Sequence, residues 1–95
     1  MSGAEALAAE SVPRLPRGVR LKHDEARSEW LLLAPERVIK LDAIALAVLQ
    51  RCTGTANFAA IVDDLATTYA APRERIEMDV RALLGKLVAK RLVDL

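Results

Sequence analysis

The residue pattern that most constrains this chain lies in its C-terminal half, where apolar side chains recur every three or four residues. The first such stripe consists of Phe58, Ile61, Val62, Leu65, Ala66 and Tyr69, and the second of Ile76, Val80, Leu83, Leu84, Leu87 and Val88. This spacing places the side chains of each stripe along one face of an α-helix. The pattern therefore predicts two amphipathic helices with buried apolar faces.

Capping residues and a proline predict where the helices begin. Thr55 or Asn57 can cap the first of these two helices, because either side chain can accept hydrogen bonds from the free amides of a first turn. Pro72 suits the first position of the second, since the amide hydrogen that proline lacks has no partner there. Asp42 can cap an additional, earlier helix over residues 43 to about 51. Three helices are thus predicted in all.

Residues 19–41 show the patterns of three short strands. From Val19 to Glu25, apolar and charged residues alternate, as they do in a strand with one buried face. Trp30 to Leu33 forms a second apolar run, which Pro35 ends because proline donates no hydrogen bond to a sheet. Arg37 to Leu41 follows as a third strand. We predict an α+β domain in which a small three-stranded antiparallel sheet is followed by three helices.

The first dozen residues differ in composition from the rest. Residues 1–12 are rich in alanine and glutamate and lack the apolar stripe that would hold a helix against a domain. Pro13 and Pro16 then keep the chain extended before Gly18 allows a turn. We therefore predict that residues 1–12 are a flexible tail or linker, that residues 13–95 form the domain, and that removing residues 1–11 leaves the fold intact.

The composition argues against several functional classes. With 95 residues the chain suffices for one domain, and its single cysteine, Cys52, can form neither an intrachain disulfide nor a thiolate cluster. His23 is the only histidine, and no glycine-rich phosphate loop accompanies it. We therefore expect no catalysis, metal or cofactor. A net charge of +1 favours neither nucleic acid nor membrane as a partner, and we expect a cytoplasmic location.

Several short sequence motifs are characteristic of a protein family when they occur together and in this order. They are Pro13-Arg14-Leu15 with Gly18-Val19-Arg20-Leu21, Trp30-Leu31-Leu32-Leu33-Ala34-Pro35-Glu36, Leu41-Asp42 with Ala45 and Val48-Leu49, Ile61-Val62 with Leu65, and Asp79-Val80 with Leu83-Leu84 and Leu87. In this combination, residues 13–95 resemble the pyrroloquinoline quinone (PQQ) biosynthesis protein D family, PqqD. The resemblance implies a winged helix-turn-helix-like domain of the kind called a precursor-peptide recognition element.

The resemblance also implies a function for such a domain. It would be a peptide chaperone that binds the leader of a ribosomally made precursor peptide and presents it to a radical S-adenosylmethionine enzyme of the PQQ pathway. In related domains the leader lies between the third strand and the third helix. The corresponding residues here are Arg37, Val38, Ile39, Lys40, Leu41, Met78, Arg81, Ala82, Gly85 and Lys86. Within the strand, we expect Ile39 and Leu41 to face the core and Val38 and Lys40 to face the groove.

Gly85 supports this placement of the groove. A glycine within a helix costs about 1 kcal/mol relative to alanine, so either the cost is tolerated or another group approaches the backbone there.

Two other functions stay open. One is a DNA-binding winged helix, although Asp63 and Asp64 on the second helix would repel phosphates. The other is a purely structural subunit of an enzyme complex.

Overall fold

The computed structural model describes residues 7–95, and its order of elements confirms the predicted α+β architecture. Strands β1 (Arg20–Asp24), β2 (Glu29–Ala34) and β3 (Arg37–Leu41) are followed by helices α1 (Ala43–Gln50), α2 (Phe58–Tyr69) and α3 (Arg73–Ala89). The ends differ from the predicted ones by only one or two residues. Pro72, for example, directly precedes α3 instead of being its first residue.

The helix caps have physical partners in the structure. The Asp42 carboxylate accepts a hydrogen bond of 2.7 Å from the amide of Ala45. Of the two candidates for α2, Asn57 is the cap, because its side-chain oxygen accepts a bond of 2.8 Å from the amide of Ala60. The Thr55 hydroxyl is instead hydrogen-bonded to that of Thr53. These side chains satisfy first-turn amides that have no partner within the helix.

The sheet is antiparallel in the order β1–β2–β3, and only one of its faces is buried. Leu32 of β2 pairs with Leu21 of β1 and with Ile39 of β3, and its side chain is fully buried. Because side chains alternate across a strand, the residues between these three lie on the opposite, outer face. β3 pairs only with β2 within residues 7–95, so its second edge is free.

The helices pack on the inner face of the sheet and supply most of the core. The predicted stripes are buried at Phe58, Ile61, Val62, Leu65, Val80, Leu84 and Leu87. The ends of the domain join this core, since Leu92 and Val93 are also buried. Two backbone hydrogen bonds between Arg14 and Asp94, of 2.8 and 2.9 Å, tie the entry segment to the C-terminal residues. In the described part of the chain, the helices are too short or too polar to cross a bilayer.

The segment from residue 7 to 12 packs on the domain, contrary to the expectation that it does not dock. Leu7 is 4% exposed, and the carbonyls of Ala9 and Ser11 accept hydrogen bonds from the amides of Ala59 and Phe58. These amides belong to the first turn of α2 and are free to bond outside the helix. The apolar periodicity of the sequence does not reveal this contact. The contact depends on one leucine and on extended backbone, and not on a helical stripe of apolar residues. Residues 1–6 lie outside the described residues, and the boundary at residue 13 stays a prediction.

We expect Leu7→Ala to lower the free energy of unfolding by about 2 to 3 kcal/mol, because it removes buried methyl groups and leaves a cavity. Urea denaturation of the full chain measures this change. Met78→Ala is the matched control, since Met78 is 67% exposed and surface truncations change stability by about 0.5 kcal/mol or less. Equal stabilities of the two variants would show that Leu7 does not pack as described.

Candidate functional site

An apolar crevice lies between the three helices. This crevice has a volume of about 70 Å³ and is lined by Ile44, Val48, Leu65, Tyr69, Ile76, Asp79 and Val80. Ile44 and Tyr69 are 51% and 44% exposed, although both are large and apolar. Ile44 follows the last residue of β3 by three positions along the chain, so the crevice includes the start of the helix that directly follows this strand.

A hydrogen bond fixes the other end of β3 to α3. The Arg37 guanidinium donates a bond of 2.9 Å to the carbonyl of Lys90, which is the residue that caps the C-terminus of α3. The beginning of α3 is next to the end of β3, because Ile76 and Ile44 line the same crevice. α3 therefore runs alongside β3 in the opposite direction. The Arg37 bond joins the two elements at one end.

The strand residues predicted to bind peptide divide between the two faces of the sheet. Ile39 and Leu41 pack against the core, in agreement with the expectation. Val38 is 66% exposed and the Lys40 side chain 70% exposed, and both lie on the outer face. That face points away from the helices, so these two side chains do not face α3. β3 can contribute to a groove beside α3 through its main chain and its edge.

The helix residues predicted to bind peptide lie on more than one side of α3. The Arg81 guanidinium stacks over the Phe58 ring at 4.7 Å and donates a bond of 2.5 Å to the carbonyl of Leu7. Gly85, one turn later, is buried, and its role in peptide binding stays a prediction. Met78, Ala82 and Lys86 are exposed.

Arg81 and Gly85 lie away from the crevice, whereas Lys86 is seven positions after the crevice residue Asp79 and lies on the same side of the helix. Arg81 and Gly85 are each five positions after a crevice residue, Ile76 and Val80 respectively, which is about 140° around the helix axis. Sequence reasoning missed the crevice because it assigned Ile76 to the core stripe. The signal that could have found it is Ile44, an isoleucine two positions after the cap of a short helix.

Salt bridges connect most of the charges of α2 and α3. Arg73 pairs with Asp63 and with Glu77, and Glu77 also lies 3.7 Å from Arg81. Hydrogen bonds to Asp63 and then Glu77 raise the pKa of Arg73 above its ordinary value. Asp64 pairs with Arg51 at 2.5 Å. Such exposed ion pairs contribute little to stability. They place two carboxylates, Asp63 and Asp64, on α2, which is the helix that a DNA-binding winged-helix domain would insert into the DNA groove.

The single cysteine and the single histidine of the chain have different surroundings, because Cys52 is buried and His23 is exposed. The Cys52 thiol is buried and donates a hydrogen bond to the carbonyl of Val48, and desolvation raises its pKa to about 12. It stays protonated near neutral pH, so it does not act as a nucleophile there. The His23 ring lies against that of Trp30, with ring centroids 5.0 Å apart. Within residues 7–95, histidines, cysteines and carboxylates form no group of three or more that could hold a metal ion.

Comparisons with known proteins agree with this architecture. The sequence profile described as Coenzyme PQQ synthesis protein D (PqqD) matches residues 29–93. The PqqA binding protein of Xanthomonas campestris pv. campestris (strain B100) is 52% identical over 86 residues, which cover 90% of this chain and 94% of that protein. This chain belongs to the PqqD family. The PqqA binding protein of Bradyrhizobium diazoefficiens is 51% identical over 80 residues, which cover 84% of this chain and 78% of that protein.

Two solved PqqD structures share the fold. The solution NMR structure of the PqqD truncation of Methylobacterium extorquens PqqCD is 42% identical, with a TM-score of 0.81, and covers 97% of this chain and 98% of that one. It is described as a functional, stand-alone recognition element for ribosomally synthesised and post-translationally modified peptides. The crystal structure of PqqD from Xanthomonas campestris is 49% identical, with a TM-score of 0.60, and covers 94% and 99%.

The burial of Gly85 leads to a prediction about stability. We expect Gly85→Leu to overpack its surroundings and to lower the free energy of unfolding by about 1 to 3 kcal/mol. Ala82→Leu on the same helix is the control, because Ala82 is exposed and its substitution introduces a side chain of the same size. Thermal or urea unfolding of both variants measures the difference. A Gly85→Leu protein as stable as the control would place Gly85 at the surface.

Proposed function

We propose that this PqqD family protein is a non-catalytic peptide chaperone of PQQ biosynthesis that binds its precursor peptide along the free edge of β3. The observations that carry the proposal are the unpaired edge of β3 and the apolar crevice between the helices, whose residue Ile44 follows β3 by three positions. The names of the relatives support the ligand, since those from Xanthomonas and Bradyrhizobium are PqqA binding proteins. The M. extorquens protein, described as a recognition element for such peptides, supports the class of function.

The proposed binding mode is addition of a strand. A peptide beside β3 would exchange main-chain hydrogen bonds with residues 37–41, which are the five residues of the strand. These bonds give affinity without regard to sequence. The side chains of the added strand would alternate between the inner side, where α3 lies, and the outer side of the sheet.

Selectivity would come from the inner set of peptide side chains. The crevice between the helices is lined by apolar groups apart from Asp79, so it suits an apolar side chain of the peptide. Ile44 and Tyr69 would lose their exposed apolar area on binding, which contributes about 25 cal/mol for each Å² removed from water. The proposed site therefore keeps β3 from the sequence prediction and replaces Met78, Arg81 and Gly85 by the residues of the crevice.

The chemistry on the peptide is assigned to a partner, a radical S-adenosylmethionine enzyme in the cytoplasm. A chaperone in this role must hold the peptide without reacting with it. The buried, protonated Cys52 and the stacking of His23 on Trp30 are consistent with such a role. The family resemblance supplies the class of the enzyme.

A pair of aspartate substitutions distinguishes the crevice from the opposite side of α3. We expect Ile44→Asp to weaken binding of a synthetic precursor peptide by about tenfold or more, because it places a charge in an apolar contact. The fold should persist, since an acid in the first turn of α1 interacts favourably with the helix dipole. Met78→Asp is the control, and calorimetric titration measures both affinities. Loss of binding in the Met78 variant alone would move the peptide to the other side of α3.

Methylation of single peptide amides tests strand addition itself. In an added edge strand, only every second amide points toward β3, so N-methylation at those positions removes a hydrogen bond and introduces a clash. We expect affinity for the unmodified protein to fall with a period of two residues along the peptide. The peptides methylated at the intervening positions are the controls. A uniform effect, or none, would contradict pairing with β3.

A further inference from the structure

The outer face of the sheet carries apolar side chains that the fold does not use. Leu31, Leu33 and Val38 alternate with residues that face the core, and so they point away from the helices. Neither Leu31 nor Leu33 packs against the buried core of residues 7–95, and Val38 is 66% exposed. An outer sheet face in a small protein is ordinarily polar. Packing of the core therefore does not account for this apolar centre.

Cationic side chains surround this apolar centre in a regular arrangement. Across the strands, Leu31 is paired with Lys22 on one side and Lys40 on the other, and Leu33 is paired with Arg20 and Val38. Within residues 7–95, Arg20 and Lys22 form no salt bridge. Lys40 lies 3.2 Å from Glu29, but its side chain is still 70% exposed. The face formed by Arg20, Lys22, Leu31, Leu33, Val38 and Lys40 is termed the outer patch.

The charges of the outer patch indicate the chemistry of what it contacts. Two leucines and a valine with adjoining cations match a protein surface that has an apolar centre and carboxylates around it. The acidic residues of the sheet, Asp24 and Glu29, form one cross-strand pair at the far end, beyond the row that contains Leu31. The positive charge is therefore concentrated on one part of the face, where it can orient an acidic partner.

We propose that the outer patch is the surface on which the peptide-modifying enzyme docks, through an acidic-rimmed apolar patch of its own. This inference rests on the proposed function, in which the peptide occupies the edge of β3. An enzyme on the outer face leaves that edge and the crevice free, because they lie at the side of the sheet and on its inner side. The peptide and the enzyme can then be bound at the same time on adjoining surfaces.

The test uses the full chain and the purified radical S-adenosylmethionine enzyme from the same organism. We expect Arg20→Glu with Lys22→Glu to weaken enzyme binding by about tenfold or more at low salt, and the remaining affinity to depend less on salt concentration. Both residues lie on β1, two strands away from the peptide edge, so the affinity for the synthetic precursor peptide should change by less than about twofold. A second variant, Leu31→Thr with Leu33→Thr, keeps residues that favour strands and removes the apolar centre.

A control of equal charge distinguishes docking from a general effect of net charge. Arg75→Glu with Lys86→Glu makes the same change on exposed residues of α3, and it should leave enzyme affinity, measured without peptide, within about twofold. Unchanged enzyme binding in both outer-patch variants overturns the proposal, as does equal loss in the control. If the variants alter only the self-association of the chain, the patch contacts a second copy instead. Failure of the unmodified protein to bind peptide would refute the proposed function separately.

Discussion

The structure depends on covering one face of a three-stranded sheet with three helices. Leu32, at the centre of the middle strand, is completely buried beneath them. The helices contribute two apolar stripes, and burial of those stripes is the main term that stabilises so small a domain. Because all three helices cover the same face of the sheet, its outer face and the edge of β3 stay uncovered. Both surfaces to which we assign function follow from this one-sided coverage.

The N-terminal segment completes the helical layer in a way that decides how α3 is used. Its carbonyls bond to the first amides of α2, and Leu7 lies under the guanidinium of Arg81. This contact occupies the side of α3 that bears Arg81 and Gly85. The side that bears Ile76 faces α1 and α2. One segment outside the regular elements thus divides the long helix into a structural side and a side available to a ligand.

An arrangement of this kind suits a protein that must hold a peptide without changing it. Main-chain bonding along β3 tolerates many sequences, whereas a crevice lined mainly by apolar side chains favours an apolar side chain of the peptide. The Arg37 bond to Lys90 joins the start of β3 to the end of α3 in the protein without peptide.

The sequence by itself determined the elements and their order, because these depend on local patterns. Alternation indicated the strands, three- and four-residue spacing indicated α2 and α3, and Asp42 acts as the predicted cap. The family resemblance added the likeness to a peptide-recognition domain. The resemblance also predicted the strand half of the proposed site, Arg37 to Leu41. Ile39 and Leu41 face the core as their parity predicted.

Only the tertiary structure decided which side of α3 faces β3 and what the first residues do. A helix with apolar residues on more than one side can be rotated toward a sheet in several ways. From the sequence alone, Gly85 is equally compatible with an exposed and with a buried position. Long-range contacts resolve this choice, namely Arg81 with Leu7 and Arg37 with Lys90, which are separated by 74 and 53 positions. Such contacts have no local signature, since they depend on where distant segments meet after the core has formed.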